Sequence, residues 1–177
     1  MHLKLWHILG TLFTIIIGTL LHFTYDWSGN VPIVGLFSPI NESTWEHLKL
    51  LAMPMLVWAF VAYFAYGRHG YPNFVSVTVL SILVGMAAIV VVFYTYTGIV
   101  GRHALWMDIA TFIIGVILAY QMSYRLLQTP YLSSGLAVAQ SWVGLVLILA
   151  AFLLFTDFPP HLALFRDPVS GHFGRNR

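Results

Sequence analysis

Five apolar runs constrain this chain more than any other feature. Each is about twenty residues long, the length an α-helix needs to cross the hydrocarbon of a bilayer. They fall at roughly 3–23, 44–66, 74–96, 104–124 and 132–156. The breaks between them are turn-forming: Gly67-Arg68-His69-Gly70-Tyr71-Pro72-Asn73, then Gly98 and Gly101, then Thr129-Pro130. Aromatic residues such as Trp6, Tyr25, Trp27, Tyr71, Trp106 and Tyr131 sit near the ends of the runs, where a membrane places its interfacial belt. Only 8% of the residues are charged, against about 25% in a soluble domain. Such a chain cannot cover a water-facing surface. The expected fold is all-α: a single polytopic membrane helix bundle of five transmembrane helices.

The first run follows Lys4 and is longer than the core of a signal peptide, about 7–15 residues. Thr24-Tyr25-Asp26-Trp27 is also a poor cleavage site, so the run reads as a retained span. The net charge is +2 and the eight Lys and Arg are scattered. That excludes the basic stripe a nucleic-acid partner requires. There are no cysteines, hence no disulfide framework and no thiolate metal site.

Five spans put the termini on opposite sides. Sorting the charges on that basis gives two unequal faces. One, here the bare face, holds the N-terminus and the 67–73 and 124–131 turns, with Lys4, Arg68 and Arg125 and no acid. The other, the elaborated face, holds the 24–43 loop, the 97–103 loop and the tail from 157. It receives all six acids: Asp26, Glu42, Glu46, Asp108, Asp157 and Asp167. Five of the eight histidines also fall there: His22, His47, His103, His161 and His172. Lys4 ahead of the first span and the basic short loops favour an inside N-terminus and an outside tail.

The stretch Asn41-Glu42-Ser43-Thr44-Trp45-Glu46-His47-Leu48-Lys49 is the densest polar block. Part of it is a helix start. Ser43-x-x-Glu46 matches a capping box, Pro39 and Asn41 suit the turn before it, and Glu42 and Glu46 suit the positive end of the helix. His47 and Lys49 lie deeper than a cap requires. Pro54 follows and is expected to kink the helix and open space.

The other spans direct small residues to the same face. Gly10, Thr14, Gly18, His22 and Asp26 recur at steps of four, a stripe along one side of a helix. Small residues at that spacing let helices approach closely in lipid. Thr111, Gly115, Ala119 and Ser123 form a second stripe, with Asp108 on its line, and Thr78, Ser81, Gly85 and Ala88 a third. Two packing faces therefore end at ionisable groups on one side of the membrane. An ionisable group in a span is costly and usually faces protein or a water-filled site. The tail, with "PPHLALFRDP" and then "GHFG", mixes Phe and Leu with His and Asp, so 157–177 is expected to fold back over the polar face.

The blocks "HFTYDW", "FSPINESTWEHLKL" and "PPHLALFRDPVSGHFG" together resemble an uncharacterised family of small bacterial multi-pass membrane proteins, a domain of unknown function. The resemblance implies a shared fold in a bacterial cytoplasmic membrane and brings no activity with it.

Three functions are open. The first is a membrane-embedded enzyme that holds a divalent metal such as zinc and acts on a lipid or lipid-linked substrate. Histidine and carboxylate are suitable ligands, and His22, His47, Asp108, Asp26 and His161 are the candidate ligands. Glu46, His47 and Asp108 are the candidate catalytic groups, with Glu46 and His47 as acid and base in a version without metal. No His-x-x-x-His spacing exists, so ligands must come from separate helices. The second is a small proton-linked transporter, although the polar groups gather at one face and not at the midplane. The third is an accessory subunit of a larger membrane complex, with His7 and His22 as ligands for a haem or chlorophyll-type pigment. Beyond the lipid bilayer, the expected partners are further copies of the chain or the subunits of such a complex.

Overall fold

The computed structural model describes residues 2–175. It contains five helices long and apolar enough to cross a membrane: Leu3–Trp27, Thr44–Gly70, Phe74–Val100, Leu105–Leu127 and Gly135–Asp157. Each expected run is present, and most helices extend past it. The first helix, α1 (Leu3–Trp27), includes Asp26 in its last turn. A short helix α2 (Pro32–Gly35) interrupts the loop that follows.

The second span is built of pieces. α3 (Thr44–His47) and α4 (Lys49–Ala62) meet at Leu48, a π-helical turn covers Tyr63–Gly67, and α5 (Arg68–Gly70) ends the span. Then come α6 (Phe74–Val100), α7 (Leu105–Leu127) and α8 (Gly135–Asp157). A single 3₁₀ turn, Ala163–Phe165, stiffens the tail.

α4 is the central helix. Leu51, Ala52, Met53 and Met55 are buried in one cluster with Ile82 and Ile89 of α6, Val116, Ala119 and Tyr120 of α7, and Phe152 of α8. α1 packs on α4 and α7, α6 packs on α7, and α8 leans on α6. The three small-residue stripes explain these pairings. Gly10, Thr14 and Gly18 are buried on α1, and Thr111, Gly115, Ala119 and Ser123 on α7. A Cβ on Gly115 would stand 3.0 Å from the Gly85 carbonyl oxygen. That backbone contact sets the spacing of α6 and α7.

Pro54 borders open space, lining a groove on the lipid-facing side, and it also frees a backbone group toward α1. Its nitrogen has no hydrogen to give the carbonyl of Leu50 one turn earlier. The freed carbonyl is not left in a void, because α1 closes on it. A Cβ on Gly18 would lie 2.4 Å from the Leu50 oxygen. Proline and glycine, on two helices, together make a close crossing.

Each face has a polar lock. On the bare face, buried Asn73 directs its amide nitrogen to the carbonyls of Leu126, Thr129 and Tyr131, at 3.1, 3.0 and 3.0 Å. One side chain thereby satisfies the end of α7 and the turn to α8. On the elaborated face, the tail folds back across the 28–43 loop. Asn41 donates to the Gly174 carbonyl at 3.0 Å, and Arg175 reaches Asp157 at 2.8 Å and the Pro32 carbonyl at 3.2 Å. Phe165 seats on Trp45 with ring centroids 4.9 Å apart.

Candidate metal centre

The Asn41–Lys49 block turns at a helix start, and the start sorts its polar groups into two sites. Ser43 is the N-cap, its hydroxyl accepting from the Glu46 amide at 3.4 Å. The expected reciprocal half of the capping box is absent. Asn41 takes the Ser43 amide at 2.9 Å, and the Glu46 carboxylate accepts from the Ile40 amide at 3.1 Å. Glu46 is thereby aimed inward, away from His47.

The inward site is a buried ion pair. Lys49 donates to Glu46 at 2.7 Å, to Thr156 of α8 at 2.6 Å, and to the carbonyls of Gly35 and Ser38 at 2.9 and 3.4 Å. The two side chains are 0% and 3% exposed. An ammonium has three protons, and all of them have acceptors here. The pair fastens the long loop and α8 to the second span. Glu46 thus sits in a structural network, apart from the histidines.

The outward site joins α1 and α3. One donor atom each from His22, Glu42 and His47 lies within 4.8 Å of the others. His47 Nε2 is 3.4 Å from Glu42 Oε2. Its Nδ1 donates to the Ser43 carbonyl at 2.9 Å, which fixes the tautomer and leaves Nε2 with a lone pair. The rings of His22 and His47 meet edge to face at 5.1 Å, and His22 is stacked on Phe23 at 5.0 Å. Two lone-pair atoms 3.4 Å apart, His47 Nε2 and Glu42 Oε2, need a cation or a proton between them. In tetrahedral zinc sites with bonds of about 2.0–2.1 Å, neighbouring ligand atoms are about 3.4 Å apart.

Asp108 lies in the first turn of α7 and acts on His47 as a nearby charge. Its own contacts are the Tyr96 hydroxyl, which donates to Oδ1, and His103 Nδ1, 3.5 Å from Oδ2. Asp108 is thus held by a tyrosine and a histidine and is not a member of the trio. The other expected ligands are placed elsewhere. Asp26 is exposed at the end of α1, outside the trio, and His161 stacks on Phe173 with centroids 4.6 Å apart. His7 is engaged at both ring nitrogens, by the Leu3 carbonyl at 2.9 Å and Ser123 at 3.1 Å. That use pins α1 to α7 and leaves no free nitrogen for a pigment.

Glu42 is the member of the trio that sequence reasoning assigned only to the helix dipole. The signal was present. With Ser43 as N-cap, Glu42 is N′ and His47 is N4, the two positions that face each other in a hydrophobic staple. Here a carboxylate and an imidazole occupy those two positions. Tyr96, near the end of the third span, is likewise a partner of Asp108.

The fold and this site define an integral membrane helix bundle with a histidine and carboxylate cluster at one face. The chain belongs to a family: its model, described as a family of unknown function (DUF6512), matches residues 1–175. No curated protein and no solved structure matches the chain.

Proposed function

We propose that the protein binds a divalent metal, zinc by ligand type, through His22, Glu42 and His47, and uses it to hydrolyse a lipid or lipid-linked substrate at the membrane face. The carrying observation is the 3.4 Å approach of His47 Nε2 to Glu42 Oε2, with a nitrogen of His22 in the same 4.8 Å group. Two histidines and one glutamate are a ligand set of catalytic zinc, which keeps a fourth position open. The Ser43 carbonyl supplies the outer contact that orients His47. A divalent ion there supplies a Lewis acid and makes its bound water more acidic. The carboxylate that takes the proton of the attacking water is Asp108, steadied by Tyr96 and His103. The side chains of His47 and Glu42 are 29% and 49% exposed, so water reaches the trio. The position, at the ends of α1 and the second span, suits a bond near lipid headgroups.

The test is elemental mass spectrometry on detergent-purified protein loaded with zinc, beside His47→Ala, Glu42→Gln and Asp108→Asn. About one zinc per chain is expected in the wild type. His47→Ala and Glu42→Gln lose it by tenfold or more in affinity, while Asp108→Asn keeps metal and loses hydrolysis. A wild type without metal refutes the reading. So does a His47→Ala variant that keeps its zinc.

A further inference from the structure

A second site lies on the lipid-facing side of the bundle, in a groove that runs from Leu21 and Phe37 near the elaborated face to Phe64 and Phe74 near the bare face. α8 leans on α6 and stands away from α1, which leaves a lateral groove floored by α4. Its volume is about 680 Å³. Ile17 of α1, Val57 and Phe64 of the second span, Val75 of α6 and Trp142 of α8 line it, and every lining residue but Thr78 is apolar or aromatic. The groove lies within the stretch of these helices that crosses the hydrocarbon.

The groove's volume is in the range of a small-molecule site, about 300–1,000 Å³, and its apolar lining suits a hydrocarbon chain.

Charge at the bare-face end decides the headgroup. There the π-helical turn Tyr63–Gly67 widens the helix, with Phe74 packed so tightly on Gly67 that a Cβ would lie 2.7 Å from its ring. π-turns of this kind often mark functional positions. The turn puts Tyr63 and Phe64 in the groove wall and sets Arg68 over the Phe64 ring, 5.5 Å from its centre. Among the described residues no ion pair involves Arg68, and the bare face carries no acid. Arg68 is exposed and its guanidinium is free to take a phosphate.

We infer that the groove holds one acyl chain of an anionic phospholipid, with its phosphate on Arg68 at the bare face. Its phosphate end, at Arg68, lies at the membrane face opposite the metal centre, and none of the trio lines the groove.

The experiment is native mass spectrometry of the full chain after exchange into micelles carrying equal phosphatidylglycerol and phosphatidylcholine. The wild type is expected to retain one phosphatidylglycerol, about fivefold more often than phosphatidylcholine, the preference one interfacial cation confers. Arg68→Gln abolishes that preference and still retains lipid. Val57→Trp, at an exposed groove residue, loses both lipids, and Val75→Phe does the same from the opposite wall. Circular dichroism checks that each variant is folded. Three results overturn the inference: equal retention of both lipids by the wild type, no retained lipid, or folded plugged variants that retain lipid as before. A fourth is a disulfide-linked dimer of Val57→Cys in vesicles, which the cysteine-free chain reports without background. That would put a second copy in the groove.

Discussion

Replacing Lys49 with methionine tests whether the buried pair or the apolar core holds the elaborated face together. Methionine matches the length of the lysine stem and removes its charge. The loss can be worked out contact by contact. Glu46 stays behind at 3% exposure with the Ile40 amide at 3.1 Å and Thr156 at 3.4 Å, so its charge is half-satisfied. The carbonyls of Gly35 and Ser38 lose the ammonium that satisfied them. Removing one partner of a buried pair costs about 3–5 kcal/mol, and better packing of methionine offsets only part of that. Lys49→Met is therefore expected to lose about 3 kcal/mol or more. The double variant Lys49→Met with Glu46→Leu removes both charges and is expected to come back to within about 2 kcal/mol of wild type. The assay is unfolding in mixed micelles with rising dodecyl sulfate, followed by helicity. Amide exchange over 35–40 reports the loop locally. A single variant within about 1 kcal/mol of wild type, the range of an exposed pair, refutes the reasoning. A double variant as damaged as the two singles added together refutes it too.

Other outcomes follow from the same contacts. Gly18→Ala sets a Cβ 2.4 Å from the Leu50 oxygen, a backbone atom that cannot step aside. It should cost about 1–3 kcal/mol in the same unfolding assay. Gly98→Ala, in open space on α6, should instead gain up to about 1 kcal/mol. Asn73→Leu leaves the Leu126, Thr129 and Tyr131 carbonyls without their shared donor. It should lose about 1–3 kcal/mol and speed amide exchange in 126–131 first. Arg175→Ala removes the links to Asp157 and Pro32. Its effect on global unfolding should stay under about 1 kcal/mol, while limited proteolysis of the tail becomes faster.

Much of the fold could be read from the chain because lipid is an intolerant solvent. Backbone groups in hydrocarbon must bond within their own segment, so twenty apolar residues can be little else than a helix. The Gly10, Thr14, Gly18 and the Thr111, Gly115, Ala119 stripes are buried as their spacing predicts, since only one side of a helix can be the close side. The candidate site was harder. His22, His47 and Asp108 were placed at one face, but sorting them into members of the trio and a group outside it depends on side-chain directions at a helix start. Glu42 and Glu46 are the clearest case. Four residues apart in the sequence, they point to opposite ends of the argument, one toward His47 and one toward Lys49. What separates them is that Asn41 occupies the Ser43 amide, a local competition that a count of charges does not resolve. The span ends also shifted outward, because Trp27, Val100 and Leu127 continue helices whose polar neighbours suggested loops.

The Thr156 hydroxyl on Lys49 has a consequence for how the protein is made. The two residues are 107 positions apart, so at about 5–20 residues per second roughly 5–20 s of translation separate them. For that interval the second span waits at the membrane with a lysine whose last ligand does not yet exist. Glu46, one turn away, is its companion from the start. The final helix is then the latch of the assembly, closing with Thr156 on a lysine that Glu46 and the Gly35 and Ser38 carbonyls already hold.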